Sequence, residues 1–258
     1  MNTRPKVLTI AGFDPSAGAG LLADIKTMEQ WQTYGMSIIT ANTLQTEDRF
    51  QANHWMHPEQ IMEQLTLLLN HYSFAAIKVG IIQSTSLLCQ LIGKIRKQQP
   101  EVPIVWDPVL SASAGFAFHK QLHRSELASV LQNITLVTPN VPEAEALFGN
   151  QPVGEAACEW GCSILLKGGH TKGNLIVDRL FQGSEEISFP HPRIDSEKHG
   201  TGCVLSSSIA AALAHGNPLP EACKKAQAYI SQFIASSPAK LGYHTTDKNN
   251  INGVQINS

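Results

Sequence analysis

The segment VLTIAGFDPSAGAGLLADIKTMEQWQ, residues 7–32, predicts the fold of the chain. It begins with a short apolar run, Val7–Ala11, which does not alternate with polar residues and is therefore typical of a strand covered on both faces. A glycine-rich stretch, Gly12–Gly20, follows, and a helical pattern then covers Leu21–Gln32. A strand followed by a loop and a helix is the repeating unit of a parallel sheet.

The same unit recurs along the rest of the chain. The further predicted strands are Ser37–Ala41, Ala75–Val79, Ile104–Trp106, Thr135–Thr138 and Ser163–Leu166. The further predicted helices are Pro58–Asn70, Thr85–Gln98, Ser125–Gln132, Pro142–Phe148, Gly202–Ala214 and Pro220–Ser236. A late antiparallel pair is predicted for Leu175–Phe181 and Glu186–Phe189. Because there are fewer than eight convincing strand–helix units, these patterns favour an α/β fold with an open, doubly wound sheet over a closed barrel.

Composition excludes several classes of protein. The chain has 258 residues, a formal net charge of -2 and no basic block, so neither a nucleic-acid nor a membrane partner is indicated. The five cysteines form no CxxC pair, and the N-terminal residues contain no apolar signal-peptide core. We therefore expect a cytoplasmic protein with one domain over residues 1–242 and a polar tail over residues 243–258.

Polar or glycine-rich segments directly follow most of the predicted strands. Ligands of an open parallel sheet bind outside the carboxyl ends of its strands, so we expect these segments to form one site. They are Gly12–Gly20, Asn42–Asp48, Asp107-Pro108, Asn140–Glu143 and Lys167–His170. The first segment matches neither the Rossmann fingerprint nor the Walker A loop, and taken alone it is equally consistent with a flexible turn.

The segment His199–Cys203 is more specific. Its two glycines flank Thr201 directly before a predicted helix, an arrangement that exposes backbone N–H groups and suits a transferring phosphoryl group. Cys203 at the helix start is expected to have a lowered thiol pKa and could then accept a proton from an attacking hydroxyl. A tight turn with Cys203 as a small core residue explains the same pattern equally well.

A series of short motifs resembles, in matching order, the hydroxymethylpyrimidine phosphate kinases of the ribokinase-like superfamily. They are DPSAGAG (14–20), ADIKT (23–27), TLQ (43–45), KVG (78–80), DPV (107–109), TPNVPEAE (138–145), KGGH (167–170) and HGTGC (199–203). The resemblance extends from about Val7 to Ser236. It implies a three-layer α/β/α sandwich with a mainly parallel central sheet, a homodimer, and the use of ATP and Mg²⁺. The implied reaction is phosphorylation of 4-amino-5-hydroxymethyl-2-methylpyrimidine, its monophosphate, or both, in thiamine biosynthesis.

The resemblance also implies a role for individual residues. Cys203 stands where most ribokinase-like enzymes place an aspartate base, and Gly200 and Gly202 would contribute to the anion hole beside it. The residues expected to bind the pyrimidine are Asp24, Gln45, Gly12 and Gly80. The residues expected near the nucleotide are Lys167, Asn140 and Thr201. The residues expected to serve Mg²⁺ are Asp107 and Glu143.

Several of these residues have a purely structural alternative. Asn140 followed three residues later by Glu143 is also the pattern of a helix capping box. Lys167 could equally be a solvated strand end, and Asp107 could belong to a plain turn before a proline.

The chain also departs from the family pattern. Ser113 stands where the family usually has lysine, Ile81 where it often has methionine, and Phe13 where it usually has serine. These departures keep two other functions open. One is a vitamin B6 kinase acting on pyridoxal or pyridoxine, and the other is a non-catalytic pyrimidine-binding protein.

Overall fold

The computed structural model of the chain describes residues 3–110, 124–169 and 173–244. Its strands are β1 (Lys6–Phe13), β2 (Tyr34–Gln45), β3 (Phe50–Trp55), β4 (Ala76–Val79), β5 (Ile104–Trp106), β6 (Leu136–Val137), β7 (Ser163–Leu166), β8 (Leu175–Gln182) and β9 (Glu185–Pro192). Its helices are α1 (Gly20–Gln30), α2 (Pro58–His71), α3 (Thr85–Gln98), α4 (Arg124–Leu131), α5 (Val141–Phe148), α6 (Val153–Trp160), α7 (Thr201–Ala214) and α8 (Leu219–Ala235).

The strands form one 9-stranded sheet in the order β3-β2-β1-β4-β5-β6-β7-β8-β9. Neighbouring strands from β2 to β7 run parallel, while β3, β8 and β9 add antiparallel pairs at the two edges. Strand β1 lies between β2 and β4, so the order of strands reverses at β1. A reversal of this kind opens a crevice at the carboxyl ends of the strands, where ligands of doubly wound folds bind.

Helices cover both faces of the sheet, as the alternation of side chains along each strand shows. Leu8 and Ile77 belong to a core cluster with α2, α3, α4, α5 and α6. Their strand neighbours Val7 and Ala76 point to the other face, into a second cluster with α1, α7 and α8. The predicted α/β/α sandwich with a mainly parallel sheet is therefore confirmed.

The structure differs from the predicted secondary structure in two places. Asn42–Asp48 was expected to be a loop, but β2 continues to Gln45 and forms a hairpin with β3. Its polar residues are compatible with a strand because this hairpin lies at the sheet edge, where alternate side chains such as Asn42 and Leu44 are exposed. Helix α6 was not predicted, since its 8 residues are too few to give a clear helical period.

Some predictions fall on residues that the structure does not describe. They concern Ser113, His170 and the tail beyond residue 244, so the predicted boundary between a domain over residues 1–242 and a tail stays a prediction. In the described part of the chain, no helix combines the length and apolarity that crossing a membrane requires.

Candidate active site

The amino end of α7 lies against the glycine-rich loop before α1. Gly200 caps α7 with a φ of 78°, a left-handed conformation that favours glycine. A Cβ at Gly200 would collide with the carbonyl oxygen of Gly18, so the close approach of the two loops also requires glycine. Among the residues that the structure describes, no side chain caps this end of α7. The first N–H groups of an α-helix have no partner within the helix, and they are therefore available to an anion.

A pair between Asp14 and His199 holds the two loops together. His199 Nε2 lies 2.9 Å from Asp14 Oδ2, which also accepts a 2.9 Å hydrogen bond from the backbone N–H of Ala19. Burial would raise the pKa of Asp14, but hydrogen bonds from His199 and Ser16 more than compensate and lower it. Asp14 therefore stays charged and fixes the loop before α1 to the loop before α7.

Asp24 and Lys78 form an ion pair in the interior directly behind this junction. Both side chains are 0% exposed, and Lys78 Nζ lies 2.8 Å from Asp24 Oδ2. Thr9 donates to the same oxygen at 2.5 Å, and Ser207 of α7 donates to Asp24 Oδ1 at 2.5 Å. Both oxygens of Asp24 are thus engaged within the protein, and because Asp24 has no exposed surface, direct contact with a pyrimidine would require the groups around it to move.

Cys203 lies in the first turn of α7 and is partly exposed. Burial raises the pKa of its thiol to about 11; the charges of Asp24 and Asp107 also raise it, while Lys78 and the backbone N–H of Gly20 lower it. The expectation of a lowered thiol pKa was therefore wrong. A helix start does favour a thiolate, but here burial and two nearby carboxylates have the larger effect.

Asp107, at the end of β5, is 1% exposed and accepts hydrogen bonds from three side chains. The donors are Lys167 Nζ at 3.0 Å, Thr138 Oγ1 at 3.2 Å and Ser206 Oγ at 3.4 Å. Burial alone would raise the pKa of Asp107, but the charges of Lys167 and Lys78 hold it below its usual value. Asp107 is therefore an ionised carboxylate beside the amino end of α7.

Lys167 also faces Glu143, whose Oε2 lies 3.7 Å from Lys167 Nζ. Burial raises the pKa of Glu143, with Asp107 adding to the effect and Lys167 opposing it. Asn140 and Glu143 form the capping box at the start of α5, with both of its hydrogen bonds at 2.8 Å. The structural alternative is therefore confirmed for this pair, although the cap still leaves Glu143 beside Lys167.

The glycines expected near the substrate, Gly12 and Gly80, are buried at the carboxyl ends of β1 and β4. A Cβ at Gly12 would lie 2.8 Å from Ile81 Cγ2, and one at Gly80 would lie 2.9 Å from Lys78 Nζ. Gln45 is partly exposed and lies at the end of β2. The 2.9 Å hydrogen bond from Thr43 Oγ1 to the carbonyl oxygen of Phe13 holds this part of the hairpin against the end of β1.

The chain segment after α8 supports two of these loops. Lys198 Nζ donates to the carbonyl oxygen of Ser237 at 2.7 Å, and the N–H of His199 donates to the carbonyl oxygen of Lys240 at 2.9 Å. Lys240 Nζ lies 2.7 Å from Asp48 Oδ1, in the turn of the β2–β3 hairpin. Residues 237–240 thus connect the loop before α7 to the hairpin that carries Gln45.

Sequence reasoning missed the partners of the candidate residues more than the residues themselves. Lys78 was noted only as part of a family motif, although a lysine within the otherwise apolar strand Ala76–Val79 is a recognisable signal. Ser207 stands four residues after Cys203 and therefore on the same side of α7. Thr9 has no comparable signal in the sequence, because only packing brings it to Asp24.

A cavity of about 590 Å³ lies elsewhere, between α6 and the turn that joins β8 to β9. Its lining includes Glu155, Glu159, Glu185 and Glu186, and none of the candidate site residues. Among the described residues, no group of three or more His, Cys, Asp or Glu side chains is arranged to hold a metal ion.

The chain is similar to known proteins over most of its length. The family model for phosphomethylpyrimidine kinase matches residues 14–248. The chain is 33% identical to the hydroxymethylpyrimidine/phosphomethylpyrimidine kinase of Aquifex aeolicus, over 91% of this chain and 96% of that protein. It is 36% identical to the thiamine biosynthesis bifunctional protein ThiED of Geobacter sulfurreducens over 90% of this chain, and spans about half, 49%, of that longer relative.

A solved structure of pyridoxal kinase from Staphylococcus aureus, in complex with AMP-PCP and pyridoxal, is also similar. It superposes with a TM-score of 0.79 at 27% sequence identity, covering 91% of this chain and 89% of that one.

Proposed function

Because this chain belongs to the phosphomethylpyrimidine kinase family, we propose that it phosphorylates a hydroxymethylpyrimidine with ATP, as a phosphotransferase of thiamine biosynthesis. The substrate is 4-amino-5-hydroxymethyl-2-methylpyrimidine, its monophosphate, or both. The observation that carries the proposal is the amino end of α7, where Cys203 and the uncapped helix start lie beside Asp107 and Lys167. Phosphoryl transfer depends mainly on positioning and electrostatic stabilisation, and this arrangement supplies both.

Cys203 and the backbone of α7 act at the reacting atoms. The Cys203 sulfur accepts the proton of the attacking hydroxyl, and the N–H groups of Gly202 and Cys203 stabilise the charge on the transferring phosphoryl group. Gly200 supports this role because only a glycine allows the turn to approach Gly18. The sulfur must be a thiolate when it accepts the proton, and the raised thiol pKa means that nearby positive charge has to favour that form.

The nucleotide is proposed to lie on the Lys167 side of α7, within reach of Asn140 and Thr201. The ammonium group of Lys167 is available to phosphate oxygens, and its pKa is raised, since burial is outweighed by the charges of Asp107 and Glu143. Lys167 therefore stays positively charged throughout the proposed reaction.

The residues near Lys167 also fit a magnesium ion. Asp107 and Glu143 place two carboxylates around a single ammonium group, and Mg²⁺ in nucleotide sites commonly binds one or two carboxylates together with waters and phosphates. We propose that these two residues hold the ion. When bound, it would neutralise phosphate charge.

The pyrimidine is proposed to lie in the crevice between Gly12, Gly80 and the β2–β3 hairpin. Gln45 offers both a donor and an acceptor to the aminopyrimidine edge. Asp24 has no exposed surface, so it would reach the substrate only if the groups around it moved, and otherwise it acts from behind the site.

A vitamin B6 kinase is the second candidate, because the similar S. aureus structure is a pyridoxal kinase with pyridoxal bound. The two functions are separated by measuring ATP-dependent turnover of the pyrimidine alcohol, its monophosphate and pyridoxal side by side. We expect a higher kcat/KM for the pyrimidines, and a clear preference for pyridoxal would contradict the proposal. Pyrimidine binding without ATP consumption would instead indicate the non-catalytic binding protein.

The cytoplasmic location and the homodimer implied by the family resemblance remain proposals. A molar mass twice that of the 28.0 kDa chain, measured by light scattering, would support the dimer.

A further inference from the structure

We propose that Asp178 of β8 is a positioning residue for the nucleotide, because it holds the backbone that directs Lys167 toward the amino end of α7. The inference deepens the proposed kinase function and rests on its placing of the nucleotide phosphates beside Lys167. Asp178 acts through Lys167 and does not itself touch a substrate. Its effect is measured by nucleotide binding, so the inference can fail while the kinase activity stands.

The ammonium group of Lys167 lies beside the proposed anion hole. A Cβ at Gly202 would lie 3.4 Å from Lys167 Nζ, and the same Nζ lies 3.0 Å from Asp107 Oδ1. Gly202 belongs to the turn that is proposed to bind the transferring phosphoryl group. Lys167 is therefore placed to contact the terminal phosphate of ATP, and a shift of its backbone would move the ammonium group away from that phosphate.

The backbone around Lys167 is held from two sides. On one side the N–H of Lys167 donates to the carbonyl oxygen of Pro139 at 2.9 Å, and Lys167 forms a parallel bridge with Asn140. On the other side the N–H of Gly168 donates to Asp178 Oδ1 at 2.7 Å. Because β7 ends at Leu166, these contacts hold the chain just beyond the strand.

A carboxylate is an unexpected side chain at this position of β8. Asp178 is 6% exposed, and Leu180, two residues further and therefore on the same face of the sheet, is 0% exposed and belongs to the apolar cluster with α7 and α8. Burying a carboxylate costs free energy unless hydrogen bonds satisfy it, whereas an apolar residue would fill the position without that cost. The N–H of Gly168 meets one oxygen of Asp178, and His191 Nε2 of β9 lies 3.5 Å from the other.

Gly168 brings the loop after β7 within reach of Asp178. A Cβ at Gly168 would collide with the carbonyl oxygen of Val177, the residue before Asp178 in β8. A larger residue would push the loop away from β8 and lengthen the hydrogen bond to Asp178. The glycine and the carboxylate therefore serve the same contact.

The chain beyond Gly168 has a support of its own. Arg193 Nη1 donates to the carbonyl oxygen of Gly169 at 3.2 Å, and Arg193 Nε donates to the carbonyl oxygen of Gly173 at 2.8 Å. These contacts do not involve Asp178. Removing the carboxylate should therefore release the backbone at Lys167 and Gly168 while Gly169 and Gly173 keep their contacts with Arg193.

The experiment compares the binding of AMP-PCP and of AMP, with magnesium present, by calorimetric titration of the full chain and its variants. Asp178→Val suits a strand but removes the acceptor. We expect it to weaken AMP-PCP binding about tenfold, the effect of losing one hydrogen bond to a charged group. AMP lacks the terminal phosphate, so its binding should be unchanged, whereas a purely structural disturbance would weaken both nucleotides alike.

Three further variants control the measurement. Asp178→Asn keeps the side-chain oxygen that accepts from Gly168, and should bind AMP-PCP within about twofold of the original chain. Arg179→Met removes a half-exposed side chain at the next position of β8 and should change neither affinity. Adding Asp178→Val to Lys167→Met should cause no further loss of AMP-PCP binding, because the two changes remove the same contact.

The proposal would be overturned by unchanged AMP-PCP binding in Asp178→Val, by an equal loss for AMP, or by an Asp178→Asn variant as weak as Asp178→Val. Circular dichroism reports whether Asp178→Val folds. If it does not, Asp178→Ala, which adds no atom to the strand, decides in its place. The expected pattern of binding in a protein with no pyrimidine kinase activity would instead overturn the proposed function and leave the assignment of Asp178 intact.

Discussion

At the scale of single residues, Cys203 combines two opposing influences. Its place at the start of α7 favours a thiolate, whereas burial beside Asp24 and Asp107 favours the neutral thiol and raises the pKa to about 11. The sequence shows the helix start, but it does not show that two carboxylates lie near it. Asp24 precedes Cys203 by 179 positions in the chain, and Asp107 precedes it by 96. The direction of the pKa shift was therefore predicted wrongly, because burial and the charges of Asp24 and Asp107 cannot be read from the residues around Cys203.

Replacing this thiol tests its role as a base. Cys203→Ala should lower kcat by roughly 10²–10⁴, the usual contribution of a general base, with little change in nucleotide binding. The two quantities are measured by steady-state kinetics and by titration with an ATP analogue. Cys158→Ala serves as the matched control because Cys158 is an exposed cysteine of α6. Near-normal turnover in Cys203→Ala would assign catalysis to the anion hole and the metal alone.

At the scale of elements, the amino end of α5 carries both a capping box and a carboxylate beside Lys167, and two variants can separate their effects. Asn140→Ala removes the cap and should lower the free energy of unfolding by about 1 kcal/mol. Glu143→Gln keeps the capping box, since glutamine also serves at this position, but removes the charge beside Lys167. We expect Glu143→Gln to retain stability while requiring more Mg²⁺ for half-maximal turnover.

Urea denaturation and magnesium titration measure these two effects. A Glu143→Gln variant that loses as much stability as Asn140→Ala, yet keeps its full response to magnesium, would show that Glu143 serves only as a cap.

The sequence predicted most elements but not all of them. Buried strands such as β1 and β4 give unambiguous apolar runs, and α3 and α7 give long helical patterns. The β2–β3 hairpin was missed because one of its faces is exposed, so polar residues within it imitate a loop. At the site the candidate residues were visible as motifs, whereas the ion pair of Lys78 with Asp24 depends on packing between β4 and α1.

At the scale of the whole molecule, buried thiols couple stability to pH. Burial raises the pKa of Cys162 and Cys223 to about 12 each. The unfolded chain ionises its thiols from about pH 9, so the stability they provide is complete below that pH and is lost as pH rises toward 12. Because each of these thiols ionises more readily in the unfolded chain, we expect each one to lower the free energy of unfolding by about 2 kcal/mol at about pH 10.5, relative to about pH 8.

Urea denaturation under reducing conditions at those two pH values measures this loss. Cys223→Ala removes one titrating group and should reduce the pH dependence, whereas Cys158→Ala, at an exposed position, should not. An identical pH dependence in Cys223→Ala and in the original chain would contradict the prediction.

The contacts of residues 237–240 affect the order in which the site can form during synthesis. The ribosome makes the loop before α1 first and the segment that supports His199 and Asp48 last, about 190 residues after the hairpin it holds. A nascent chain can build β1, α1 and the hairpin early, but these loops lack their final supports until Lys240 has emerged. The candidate site therefore stays without its final supports while about 190 residues are added after the hairpin.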